Sequence, residues 1–141
     1  MKTNELRVGN IVSCELVCDL YTDRKPYYGK NIYSVSSIFR RTTSVDIGHD
    51  LWQTSDMDNF KPIPLTEEWL ARFGFVSDDY FGRVLYCNGY LSNIRFYNGE
   101  CVMRVRGSND VRLPKIEYVH QLQNLYFALT GEELTIKDTA V

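Results

Sequence analysis

Glu117 to Leu134 reads EYVHQLQNLYFALTGEEL, the one long segment of the chain with a clear helical period. On a 3.6-residue wheel Tyr118, Val119, Leu122, Leu125, Tyr126 and Leu129 share one broad apolar face. A helix of that kind needs a sheet to cover. It starts without a clear cap after Pro114 and ends at Gly131, a good residue for the position just past a helix. Leu134-Thr135-Ile136 can add a short edge strand, with fraying beyond it.

The sheet is supplied by Tyr80 to Gly107. Asn88-Gly89 and Asn98-Gly99 are both strong signals for type I′ hairpins, and together they predict a three-stranded antiparallel meander. With two-residue turns, Cys87 opposes Tyr90, Phe96 opposes Cys101, Ile94 opposes Met103 and Ser92 opposes Val105. One face then carries Leu85, Cys87, Tyr90, Ile94, Phe96, Cys101, Met103 and Val105, the surface for the helix. The other collects Tyr86, Arg95, Tyr97, Arg104 and Arg106. Between Tyr80 and Ile116 the charge is +4 in a chain of net −2, so charge is segregated along the sequence.

Before the meander lies a short helix. Thr66 is its natural N-cap, Glu67 and Glu68 favour the positive end of the dipole, and Leu65 can staple to Leu70. Gly74 ends it after Glu67 to Phe73, with Phe75 folding back onto Leu70. A two-turn helix is unstable alone, so Trp69, Leu70 and Phe73 must pack against something.

Pro62-Ile63-Pro64 closes the preceding region, because two prolines cannot sit in a central strand. Within residues 1–64 the pattern is strand and loop. Leu6, Val8, Ile11 and Val12 flank a Gly9-Asn10 turn, strand continues over Ser13 to Leu20, and Tyr21 to Asn31 is a loop. Ile32 to Phe39 and Ser44 to Ile47 are two further strands, and Gly48 to Lys61 is a polar, acidic connection anchored by Trp52 and Phe60. The expectation is an α+β protein: residues 1–64 as a small, strongly bent sheet or SH3-like barrel, and residues 65–141 as a helix, meander and packed helix, the two sharing one core or standing as subdomains.

Composition excludes several classes. An apolar content of 44% with 24% charged residues is that of a globular chain, not a disordered one. Net charge −2 provides no overall drive towards nucleic acid or anionic membranes. MKTNELRVGN has no apolar core of signal-peptide length and no run reaches the roughly 20 apolar residues of a membrane span, so the expected location is the cytoplasm. There the cysteines at 14, 18, 87 and 101 are reduced thiols.

No catalytic constellation emerges. Cys14 and Cys18 share one face of a strand, but neither a second cysteine pair nor paired histidines complete a metal set. Cys87 and Cys101 fall on the core face of the meander, which favours inert thiols. His49 stands near Asp46 and Asp50, Glu67-Glu68 has a sufficient role at a helix start, and Asp78-Asp79 sits in a turn. Glycines form neither a dinucleotide fingerprint nor a P-loop, so no cofactor, metal or catalytic residue is expected. Two surfaces remain. His120, Gln123, Asn124 and Phe127 lie together on the back of the long helix, an aromatic ringed by hydrogen-bonding groups and a candidate patch for a protein partner. Tyr86, Arg95, Tyr97, Arg104 and Arg106 form a face that could instead follow a phosphate backbone while stacking on bases.

Leu6-Arg7-Val8-Gly9-Asn10, then Pro62 to Leu70 (PIPLTEEWL), then Tyr118 to Leu134 (YVHQLQNLYFALTGEEL) resemble a group of short uncharacterised proteins of gut anaerobic bacteria and their prophages or mobile elements. The resemblance implies a bacterial, intracellular or phage-related protein and carries over no functional residue. The expected function is therefore a non-enzymatic binding or adaptor domain for a protein partner, with nucleic-acid binding through the arginine face as the alternative.

Overall fold

The computed structural model describes residues 5–14, 32–39, 42–48, 51–56, 59–80, 82–87, 92–105 and 107–137. The chain is α+β and forms two compact units, Met1–Pro64 with Tyr118–Asn124, and Leu65–Glu117 with Leu125–Val141. The first unit thus joins residues 1–64 to seven residues from far along the chain. Its hydrogen bonds explain why: Val119 N–H donates to the Ile63 carbonyl at 2.9 Å, and Pro64 bridges to Tyr118. In the second unit Leu65 N–H donates to Glu117 at 2.8 Å.

The first unit holds a four-stranded antiparallel sheet of β1 (Ile11–Ser13), β2 (Ile32–Phe39), β3 (Thr42–Gly48) and β4 (Leu51–Asp56), in that order. β4 falls where a polar connection was expected. LWQTSD lacks the apolar alternation of a half-buried strand, and a strand at the end of a sheet can form without it because only one neighbour has to be satisfied. The expected continuation over residues 15–20, the loop of residues 21–31, His49 and Cys18 lie outside the described residues.

The core of this unit is Leu6, Val12, Cys14, Tyr33, Val35 and Phe60, with Ile38 packed against it. Tyr33 and Val35 alternate inwards along β2, and simple alternation would turn Ile38 away. The ladder between β2 and β3 shifts between Val35 and Ser37, and that one-residue bulge returns Ile38 to the side of Tyr33 and Val35. A second shift, between Asp46 and Gly48, interrupts β3 against β4.

The second unit opens with α1 (Glu67–Arg72). Thr66 Oγ1 accepts from Trp69 N–H, Glu67 and Glu68 occupy the first turn, and Arg72 stands in the last turn. The end follows the glycine-terminated pattern: Phe75 N–H returns to Leu70 C=O and Gly74 N–H to Ala71 C=O, both at 3.0 Å. Trp69 and Phe73 meet at 5.8 Å between centroids, and the Arg72 guanidinium covers the Trp69 ring at 4.3 Å.

A five-stranded antiparallel meander follows: β5 (Val76–Asp78), β6 (Gly82–Cys87), β7 (Ser92–Tyr97), β8 (Glu100–Val105) and β9 (Val111–Arg112). The three expected strands are its centre, with a short strand added at each edge. Around Asn98-Gly99 the register is the expected one: Phe96 opposes Cys101, Ile94 opposes Met103 and Ser92 opposes Val105. Around Asn88-Gly89 it is not, because Cys87 pairs with Ser92 rather than Tyr90, across a four-residue connection. A slip of two residues keeps every side chain on its side of the sheet, so Leu85, Ile94, Phe96, Cys101 and Met103 still share a face. Leu85, Ile94 and Cys101 are buried, and Phe75 meets Phe96 edge-on at 5.6 Å.

The long helix, α2 (Val119–Thr130), starts one residue after Tyr118, the first of its apolar positions, and stops just before Gly131, which has φ 74°. Its buried residues are Val119, His120, Leu122 and Gln123, all in its first half, whereas Phe127 and Leu129 in its second half are exposed. No strand forms at Leu134–Ile136; Leu134 is buried instead, and Lys137 N–H donates to Arg72 C=O at 2.8 Å.

Two glycines in the meander separate two kinds of backbone requirement. Gly82 has φ 75°, and a Cβ there would stand 2.3 Å from the Phe96 carbonyl oxygen; Gly99 has φ 77° with nothing within 4 Å. Gly99→Ala should cost about 1 kcal/mol from the left-handed conformation alone. Gly82→Ala adds a backbone collision and should cost roughly 3 kcal/mol or more. Urea midpoints of the two variants check this ordering.

Candidate functional site

Two groups of polar residues invite a functional reading. The first lies within the first unit, at the start of α2. Arg7 to Asn10 forms a tight turn in which Arg7 N–H donates to Asn10 Oδ1 at 2.7 Å and Asn10 N–H to Arg7 C=O at 3.1 Å. Asn10 is fully buried, and its Nδ2 donates to Asn124 Oδ1 at 2.9 Å. The same Asn124 oxygen accepts from Arg7 Nη1, while Asn124 Nδ2 donates to Glu5 C=O at 2.9 Å.

Beside it, Gln123 treats β1 as a neighbouring strand would. Its Oε1 accepts from Ile11 N–H at 2.8 Å and its Nε2 donates to Gly9 C=O at 3.2 Å. Pairing with β2 uses the opposite edge of β1, as the Val12–Tyr33 register requires. The outward N–H of Ser13 goes to Lys61 C=O at 3.1 Å, and Lys61 N–H returns to Ser13 C=O at 2.9 Å. One side-chain amide and one bridge residue thus close this edge.

His120 completes the group. It is 1% exposed, neither ring nitrogen has a hydrogen-bond partner among the described residues, and its ring stacks on Tyr118 at 6.0 Å with 13° between planes. Burial holds its pKa below the ordinary 6.5, with Glu5 opposing that shift. The imidazole is neutral in the fold.

These positions correct the expected partner patch. His120 and Gln123 are buried, so these two are not presented to an outside partner, and the part-buried Asn124 is hydrogen-bonded to residues 5, 7 and 10. Phe127 is 39% exposed and belongs to the second unit. A helical wheel assigns polar residues to the wet side by default, and here their hydrogen-bonding groups instead satisfy the backbone of a segment more than a hundred residues earlier. The sequence signal that could have found this is Asn10, a carboxamide inside an apolar strand start.

The second group lies on the opposite face of the meander from Leu85 and Ile94. By register Val84, Tyr86, Arg95, Tyr97, Arg104 and Arg112 share it. Arg106 is outside the described residues. Tyr86 and Tyr97 are exposed, but Arg95 is buried and its Nη2 pairs with Asp110 Oδ2, while Arg104 Nε pairs with Asp110 Oδ1. Hydrogen bonds from Arg104 and then Arg95 hold the Asp110 carboxyl below the ordinary carboxylate range. Arg112 pairs with Glu100 at 3.6 Å. Val84, 1% exposed, and Arg95 are buried in the middle of this face, so its exposed part is Tyr86, Tyr97 and Arg104, with Arg104 paired to Asp110, and not a bare arginine stripe.

Cys14 and Cys101 are buried, and burial pushes the Cys101 thiol up to about 11, which makes it a poor nucleophile. Among the described residues no group of three or more His, Cys, Asp or Glu is placed to hold a metal ion, and no helix is long and apolar enough to cross a membrane. No protein-family model, curated protein or solved structure matches the chain.

Two outcomes follow for the first group. Gln123→Met keeps the volume but strands Ile11 N–H and Gly9 C=O, and should lower stability by roughly 2–4 kcal/mol in urea unfolding. For His120, the folded pKa lies below the unfolded one. As pH falls below about 6.5 the unfolded chain takes up the proton first, so this histidine makes the fold less stable with acid and has no such effect at higher pH. Comparing urea midpoints at pH 7.5 and 5.0, the loss on acidification should be smaller in His120→Phe than in the unaltered chain.

Proposed function

We propose that the chain is a non-enzymatic binding module of a bacterial or phage-related protein, and that it recognises a protein partner through the Tyr–Arg face of the meander. The observation that carries this is the surface pairing of Tyr86 and Tyr97, 44% and 51% exposed, around a buried, ion-paired Arg95. Tyrosine and arginine contribute disproportionately to protein interfaces, because both combine a large contact area with directional hydrogen bonds. A sheet of five hydrogen-bonded strands is a rigid platform for them.

In the same proposal the first sheet is an SH3-like barrel and the C-terminal helix packs on the meander. Supporting the barrel are the bulge in β2 and the bridge from Lys61 back to Ser13, which brings the chain from beyond β4 to β1. Supporting the helix is the membership of Leu125–Thr130 in the unit that contains the meander.

Nucleic-acid binding is the weaker alternative. A phosphate backbone is bound by cations that give up condensed counterions, and on this face Asp110 pairs with Arg95 and Arg104 and Glu100 with Arg112. The test is parallel affinity capture from bacterial lysate with the unaltered chain, the double variant Tyr86→Ala/Tyr97→Ala, and a control bearing Glu132→Lys away from the meander. A partner retained by the first and third and lost at least ~10-fold by the double variant is the expected result. Identical sets of proteins on all three would reject the face. Salt-sensitive retention of DNA or RNA, weakened by Arg104→Gln, would select the alternative.

A further inference from the structure

Arg95 and Arg104 lie on adjacent strands on the same side of the sheet. In register Arg95 is opposite Val102 and Arg104 is opposite Asn93, so the two arginines are diagonal neighbours. Their guanidinium groups converge on one carboxylate, each taking a different oxygen of Asp110 at 2.5 Å. The two arginines stand on paired strands and the acid does not: the Arg95 side chain is 9% exposed on a central strand and Arg104 is 45% exposed on β8, whereas Asp110 is 38% exposed and ends the connection from β8 to β9. Ser108 ties the start of that connection by donating from both N–H and Oγ to Val105 C=O, which leaves Asp110 beyond the tie.

We propose that Arg95 and Arg104 form a carboxylate-binding site that Asp110 occupies internally, and that an acidic side chain of the protein partner binds there by displacing Asp110. The proposal rests on the protein-binding role of this face and adds the chemistry of what it binds. The Arg104–Asp110 pair is exposed on both sides and therefore weak, and an incoming carboxylate takes over the contact to the buried Arg95 instead of leaving that guanidinium unpaired. The geometry suits the exchange, since guanidinium groups donate in fixed directions that match the two oxygens of a carboxylate. Tyr97, two residues from Arg95 on the same face, supplies an exposed ring beside the site for the rest of the ligand.

The experiment uses an N-acetylated, C-amidated hexaglutamate peptide and inorganic phosphate as probes, read as the ligand-induced rise in thermal midpoint at low ionic strength. Removing the internal acid in Asp110→Asn should strengthen peptide binding at least ~10-fold over the unaltered chain, seen as a larger rise at equal peptide. Adding Arg104→Gln to that variant should abolish the gain. Equal responses of Asp110→Asn and the unaltered chain, or a gain that survives Arg104→Gln, would overturn the proposal. So would a response to phosphate without one to the peptide. Should Asp110→Asn melt without a cooperative transition, the unaltered chain gives the answer: millimolar peptide should shift the Arg104 side-chain NMR resonances, and no shift overturns the site. Partner capture that depends on Tyr86 and Tyr97, with no peptide gain in Asp110→Asn, would leave the binding face standing and remove only its carboxylate site.

Discussion

The amide of Gln123 against the outer edge of β1 is the constraint on which the first unit depends. A three-residue strand has few backbone groups, and on the side away from β2 each must find a partner or be buried unsatisfied. Gln123 supplies an acceptor and a donor at the spacing of a β partner, and Lys61 supplies the next pair. Asn124 then fixes the turn that leads into the strand through Asn10 and Glu5. Half of α2 thereby becomes a structural part of the sheet it follows by sixty residues or more.

That dependence makes His120 intelligible as a packing residue. A neutral imidazole can be buried against Tyr118 at moderate cost, but a protonated one cannot, since neither nitrogen has a partner among the described residues to stabilise the charge. The helix start is consequently held by the hydrogen bonds of Gln123 and Asn124 on one side and by stacking on the other, and acid acts on it through the histidine.

The second unit is organised differently. Its meander is hydrogen-bonded along its whole length by consecutive strands, so it needs no side chain to complete an edge from a distance. One face is closed by apolar contacts such as Phe75 with Phe96. The other carries its polar groups in pairs, with Asp110 between Arg95 and Arg104 and Glu100 beside Arg112. That pairing lets a central arginine be buried in a sheet whose surface tyrosines remain exposed, the arrangement from which the proposed binding role is drawn.

By itself the sequence determined the elements whose causes are local. Thr66, Glu67, Glu68 and Gly74 set the limits of α1, Asn98-Gly99 set the β7–β8 register, and Gly131 ended α2, because capping, turn geometry and glycine conformations act over a few residues. Apolar alternation likewise put Leu85, Ile94 and Cys101, all buried, on one face despite an error of two in one register, but it did not announce that Val84 and Arg95 on the opposite face are buried too. Three matters were decided only in the tertiary structure. β4 formed from a polar stretch because a neighbouring strand accepted its backbone, whatever its side chains. Ile38 joined the core through a bulge that no periodicity announces. The polar side of α2 was buried, since a hydrogen-bonding side chain looks the same in sequence whether it meets water or a distant strand edge, and only the folded chain shows which of the two it meets.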